Sequence, residues 1–303
     1  MELDRVRGVL VGLALGDALG APVKFDSPAR IGDHREELFE LPGGGGFDWE
    51  PGEFTDDTQM ALVLARHLDT LGGAIDQDEL VLDFVAWMDG AKDVGVQTSK
   101  VLQAVAARGE TWQEATARLP VNAEGNGCIM RAAPVALCAR SREEAADLAR
   151  QQAMVTHPRP LCIEASAAFG WILRETLETG KLDLSSALQS FRFPLLRDYL
   201  ERSKLSGRPR MSGWVVDTLL AALWAVQHAE RFDDAIWNAV SLGNDADTVG
   251  AVAGALAGAQ WGLRGIPQDL AARLTSAHPS FAGEYPDDLI EMAELLARHA
   301  REE

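Results

Sequence analysis

The chain has 303 residues, with 46 acidic side chains against 28 basic ones and a formal net charge of -18. That excess argues against binding along a nucleic-acid backbone or an anionic membrane surface, both of which are met with clustered Lys and Arg. Hydrophobic residues make up 47% and charged residues 24%, the balance of a soluble globular protein with a sizeable core.

Ala and Leu dominate and β-branched runs are rare, so the first expectation is a mostly helical protein. Apolar periodicity predicts helices, in chain order, at 4–19, 57–69, 77–88, 99–107, 111–119, 131–139, 142–156, 160–179, 183–191, 195–204, 215–229, 232–242, 247–261, 267–275 and 287–301. No segment alternates well enough to be a strand. Gly and Pro mark the loops "PGGGGFDWEPGE" (42–53), "GNG" (125–127), "HPRP" (157–160) and "SGRPRMSG" (206–213). None reads as an interdomain linker, so the expectation is a compact all-α, multi-helix bundle forming one domain over 1–303, and a monomer.

The first 23 residues superficially resemble a signal peptide. Glu2 and Asp4 dilute the positive region, however, and Asp17 interrupts the apolar run. The apolar stretch 249–263 contains Gln260 and is shorter than the ~20 residues of a membrane span. The three cysteines, Cys128, Cys138 and Cys162, match no zinc spacing and suit reduced thiols. A cytoplasmic protein with no membrane association is expected.

Two predicted helices carry glycine stripes: Gly12, Gly16 and Gly20 in one, and Gly250, Gly254, Gly258 and Gly262 in the other. Residues four apart share a helix face, and a glycine face costs helix propensity. Close approach of a neighbouring helix is the compensation expected, with backbone approach to a ligand as the alternative.

Chemistry concentrates at two helix mouths. "FTDDTQMAL" (54–62) and "GNDADTVGA" (243–251) each place acids before an apolar run. Read singly, each is a helix start: Thr55 or Asn244 caps, and the aspartates complement the positive end of the helix dipole. Read together, they are harder to explain that way. Both helices are apolar nearly all round, so their starts should be buried. Buried carboxylates without partners are costly. The donors offered, Thr55, Asp56, Asp57, Asp245, Asp247 and Thr248, are all oxygens, a set suited to Mg²⁺ or Mn²⁺ rather than zinc. If the two mouths converge, these acids can hold two metal ions. An EF-hand beginning at Asp245 would put Val249 at a ligand position, and a D-D-x-x-D run fails at Met60.

With these motifs in place, the sequence resembles the ADP-ribosylglycohydrolases of the dinitrogenase-reductase-activating type. "GLALGDALGAPVKF" (12–25), "GEFTDDTQMALVLA" (52–65), "DVGVQTSKVL" (93–102), "GNGCIMRAAPVAL" (125–137), "THP" (156–158) and "SLGNDADTVGAVAGALAG" (241–258) follow the order of that family's landmarks. The resemblance implies an all-α fold with a binuclear centre of two Mg²⁺ (or Mn²⁺). It also implies cleavage at C1″ of ADP-ribose joined to an acceptor, above all arginine on an ADP-ribosylated protein, or a small ADP-ribose conjugate. By position it makes Thr55, Asp56, Asp57, Asp245, Asp247 and Thr248 the ligands, with Asp247 bridging and Asp57 and Asp247 catalytic. Gly125, Asn126, Gly127 and His157 would line the substrate site, and Asp93 would act on the ribose or be a turn aspartate. Arg131 would either assist phosphate binding or pair with Asp17. Many relatives have Val-Glu-Phe where this chain has Val23-Lys24-Phe25. Lys24 is therefore expected to send its ammonium outward, toward substrate phosphates or an outer aspartate, rather than into the acidic cluster. The alternative to an enzyme is a non-catalytic ADP-ribose-binding or structural member.

Overall fold

The computed structural model describes residues 1–183, 194–203, 207–283 and 285–301. They form sixteen α-helices and no sheet. In chain order these are α1 (Leu3–Gly20), α2 (Pro28–Ile31), α3 (Arg35–Leu38), α4 (Asp56–Thr70), α5 (Gln77–Met88), α6 (Val96–Arg108), α7 (Trp112–Ala117), α8 (Ala133–Cys138), α9 (Arg142–Met154), α10 (Pro160–Thr179), α11 (Pro194–Ser203), α12 (Val215–Gln227), α13 (Phe232–Val240), α14 (Ala246–Trp261), α15 (Gln268–Ala271) and α16 (Asp287–His299).

The all-α expectation holds, and most boundaries fall within a turn of those read from the sequence. The predicted helix at 267–275 shortens to α15, and α2 and α3 occupy a stretch where none was predicted. The predicted helix at 183–191 lies almost wholly outside the described residues.

Local chemistry sets several helix starts. Thr55 caps α4 by accepting from the Asp57 amide, and Thr111 with Glu114 closes a capping box on α7. Asn244 does not cap α14. It adopts a left-handed backbone conformation, and Asp245 takes the cap position without bonding the helix amides. Its carboxylate is spent on a side chain elsewhere, as described below.

Helices α1 and α14 form the centre of the fold, buried along nearly their whole lengths. They run antiparallel with backbones touching. A Cβ added to Gly12 would meet the carbonyl of Gly254, one on Gly16 that of Gly250, and one on Gly8 that of Gly258. The stripes are thus an interlock in which only hydrogen fits between two backbones, and the glycine propensity cost is offset by dispersion contact along two whole helices. By length and composition the segment Leu3–Val23 is apolar enough to cross a membrane, but 83% of its apolar window is buried inside the fold.

The interlock has a chemical consequence. Antiparallel register places the end of α1 against the start of α14: a Cβ on Gly20 would meet Ala246 and Asp247. The last turn of α1 carries Asp17, and the first turn of α14 carries Asp247. Beyond α1, the chain turns through Ala21–Val23 and is pinned to the same place. The Phe25 amide donates to the Asn244 carbonyl (2.5 Å), and the Asn244 amide donates to that of Asp26 (2.7 Å).

Candidate active site

Asp17 joins α1 to α4. Its Oδ2 accepts from the backbone N–H groups of Thr55 and Thr58 (both 3.0 Å) and from the Thr58 hydroxyl (2.5 Å). A carboxylate from another helix thus takes up amides that the first turn of α4 leaves without intrahelical partners. With α14 already locked to α1, this draws the two acidic helix mouths together. Asp17, Asp57 and Asp247 each present a carboxylate oxygen, all within 4.8 Å of one another, and all three side chains are buried.

Their oxygens are incompletely paired. Oδ1 of Asp17, Asp56, Asp57 and Asp247 has no hydrogen-bond partner among the described residues. Burial pushes all four carboxyl pKa values up. That of Asp17 rises to about 7, with the charge of Asp247 adding to it. That of Asp247 rises to about 6, held down by Lys24. Orphaned buried carboxylate oxygens are rare in a folded protein, and a cluster of them suits a cation. The donors are hard oxygens, so a divalent ion of the magnesium or manganese kind fits.

Lys24 enters the same cluster, contrary to the outward course expected. Its Nζ lies 2.6 Å from Asp93 Oδ2 and 2.8 Å from Asp247 Oδ2, and its side chain is only 10% exposed. Burial alone would lower its pKa, but Asp247, Asp56, Asp57 and Asp93 outweigh that and raise it, so the ammonium stays charged.

Above this floor opens a cleft of about 730 Å³, large enough for a nucleotide-sized ligand. Lys24, Asp56, Asp57, Asp93, Asp245 and Thr248 line one end, and Gly125, Asn126, Gly127, His157, Leu119 and Trp214 are among the residues lining the rest. Asn126 ties the two ends together, donating to Asp245 Oδ2 (2.6 Å) and to the Thr218 hydroxyl (3.0 Å). Thr55 does not line the cleft. Its buried hydroxyl donates to Asp57 Oδ2 (3.1 Å), so it orients a floor carboxylate.

His157 is 1% exposed, and its Nδ1 lies 2.7 Å from the Thr156 hydroxyl. That hydroxyl also accepts from Arg131 (2.8 Å). Arginine can only donate, so the Thr156 proton is available for Nδ1, which leaves the Nε2–H tautomer facing Gly125 and Gly127. Burial first, and Arg131 second, hold the imidazole pKa well below its ordinary value, so the ring is neutral. Arg131 contacts neither Asp17 nor the cleft. It donates to Gln152 Oε1 (2.8 Å) and to the Gln152 carbonyl (3.0 Å), and it stacks 4.4 Å from the Phe84 ring centroid. It is a structural brace.

Of the residues read from the sequence, Asp56, Asp57, Asp93, Asp245, Thr248, Lys24, Gly125, Asn126, Gly127 and His157 all line the cleft, while Asp247 lies at its buried floor. Asp17 was missed as a site acid. One signal pointed to it: Asp17 is the one charge in the glycine-striped apolar run 8–23.

A cleft over unpaired buried carboxylates, on an all-α scaffold, has the make-up of an enzyme active site. More particularly, the chain belongs to the ADP-ribosylglycohydrolase family, whose model matches residues 1–303. Among its relatives is the ADP-ribosylarginine hydrolase Tri1 of Serratia proteamaculans (strain 568), 33% identical over 88% of this chain and 74% of the relative. Another is the ADP-ribosyl-[dinitrogen reductase] glycohydrolase of Rhodospirillum rubrum, 31% identical over 89% and 90%. A solved structure, titled ADP-ribosylglycohydrolase-related protein complex, superposes with a TM-score of 0.82 at 34% identity, covering 98% of both chains.

Proposed function

We propose that this chain is a divalent-cation-dependent hydrolase that removes ADP-ribose from arginine on protein by cleaving the bond at C1″. The observation that carries the reading is the set of buried carboxylate oxygens of Asp17, Asp56, Asp57 and Asp247 left without a hydrogen bond at one end of the cleft. The arginine acceptor is supported by the relative named an ADP-ribosylarginine hydrolase. The reading extends to a monomeric single-domain protein of the cytoplasm, and three free buried thiols suit that reducing compartment.

Asp17, Asp57 and Asp247 would hold magnesium or manganese, and Asp56, Asp245 and Thr248 stand beside them with further oxygens. When bound, such an ion supplies positive charge that gathers ribose hydroxyls and water and offsets the substrate's anionic groups. The protein does the positioning. Asn126, held by Asp245 and Thr218, fixes the loop whose glycines let the backbone approach a ligand. His157 presents a neutral N–H into that loop, and Trp214 offers a flat apolar face. Asp93 stands at the ribose end, one oxygen taken by Lys24 and the other left to accept a proton from water or a ribose hydroxyl.

Incubation with arginine-, serine- and acetyl-linked ADP-ribose, followed by chromatography of released ADP-ribose, tests the reading. The arginine conjugate should be consumed with Mg²⁺ or Mn²⁺ and spared in EDTA. Release that EDTA does not affect, or no release from any conjugate despite tight ADP-ribose binding, would overturn it. The second outcome would support a non-catalytic binder, the alternative favoured by the ammonium lodged among the acids.

A further inference from the structure

The contacts of Lys24 amount to a built site for its own ammonium. Two carboxylates hold Nζ, from Asp93 in the loop before α6 and from Asp247 in the first turn of α14. Two aromatic rings flank it, with centroids 5.6 Å (Phe25) and 5.7 Å (Phe47) away, within the reach of cation–π attraction. The backbone carrying it is fixed on its C-terminal side by the Phe25–Asn244 and Asn244–Asp26 hydrogen bonds. Phe25 itself holds φ +71°, an uncommon conformation for a non-glycine residue.

We propose that Lys24 is a resident cation of the acidic floor, and that the chain consequently holds one divalent ion there where the sequence motifs provide for two. The proposal rests on the metal dependence inferred above and specifies its stoichiometry. Two ions bridged by Asp247 would each take one of its oxygens, and the oxygen that faces Lys24 would be bonded at ~2.0–2.6 Å, the range of Mg²⁺ and Ca²⁺. Nζ already stands 2.8 Å from that oxygen, and a second cation cannot share its position. The oxygens left over tell where the single ion goes. Asp247 Oδ2 faces the ammonium at 2.8 Å as an ion pair without an aligned hydrogen bond, its Oδ1 has no partner, and Oδ1 of Asp17, Asp56 and Asp57 is likewise unpaired. Asp247 thus bridges a fixed ammonium on one side and a divalent ion on the other. The fixed charge cannot be lost to a chelator.

Counting metal in the unaltered protein tests this without relying on any variant to fold. After dialysis against Mn²⁺ and desalting, elemental analysis should give one ion per chain. Electron paramagnetic resonance should show the spectrum of an isolated Mn²⁺ rather than an exchange-coupled pair. Lys24→Glu should raise the count to two and produce the coupled spectrum. Lys24→Ala should admit a second ion more weakly, visible only at higher Mn²⁺. Two ions in the unaltered protein, or one ion retained in a folded Lys24→Glu at saturating Mn²⁺, would overturn the inference and leave the proposed hydrolase standing. No ion at all would overturn both.

Discussion

The two ends of the cleft are built on opposite principles. Around His157 and Arg131, buried polar groups find partners: the guanidinium bonds Gln152 and Thr156, and Thr156 bonds His157. At the floor around Asp57 and Asp247, buried oxygens go without. The first end is a finished network that holds a shape. The second is unfinished in a way that costs stability until something positive completes it. On the proposed reading, the chemistry lies where buried polar groups are left unpaired, and the paired network holds the shape around it.

The largest contrast should come from Asp57→Asn. Hydrolysis of ADP-ribosyl-arginine should fall by ~10³-fold or more, the scale of losing a principal electrostatic group. The metal-free protein should nevertheless melt higher than the wild type, because a buried like charge is gone. The same logic fixes a pH dependence. Asp17 and Asp247 titrate at about 7 and about 6 in the fold, against an ordinary 3.8. In that interval the native state binds more protons than the unfolded one, so metal-free stability should fall as pH rises from about 4 to about 7. Added Mn²⁺ should remove that fall in the wild type. A metal-free melting temperature that climbs over this range would break the comparison from the floor side.

Arg131→Met tests the finished end. It strips the donors from Gln152 and Thr156 while keeping most of the volume, and should cost about 3 kcal/mol in urea unfolding. The metal count should not change. A loss below about 1 kcal/mol would show that the network contributes little.

The smallest effect is expected for His157→Gln. An amide can replace the ring N–H but not its shape, so KM should rise about tenfold, roughly 1.4 kcal/mol, with kcat nearly unchanged. A drop in kcat without a change in KM would move His157 from binding to chemistry.

Much of this was legible in the sequence, each part for a physical reason. Helical periodicity is local, and it located nearly every helix. The acidic motifs stood out because adjacent aspartates at the mouth of an apolar helix exceed what capping requires. The glycine stripes pointed to a close helix pair because such packing compensates for their propensity cost, and the structure chose it over approach to a ligand. Asp17 was not legible as a site acid, because its partners on α4 are 38 and 41 residues away in the chain. Arg131 had two plausible partners on paper, and the fold gave it neither. Lys24 misled most. Its flanking apolar residues are compatible with a stem running either way, and the direction was decided by the turn at Ala21–Val23 and the pairing of Phe25 with Asn244. The sequence by itself thus determined the helices, the glycine faces that could interlock and the acids that could meet. The tertiary structure alone decided which acids meet and which cation stands among them, because burial and side-chain direction depend on residues far apart in the chain.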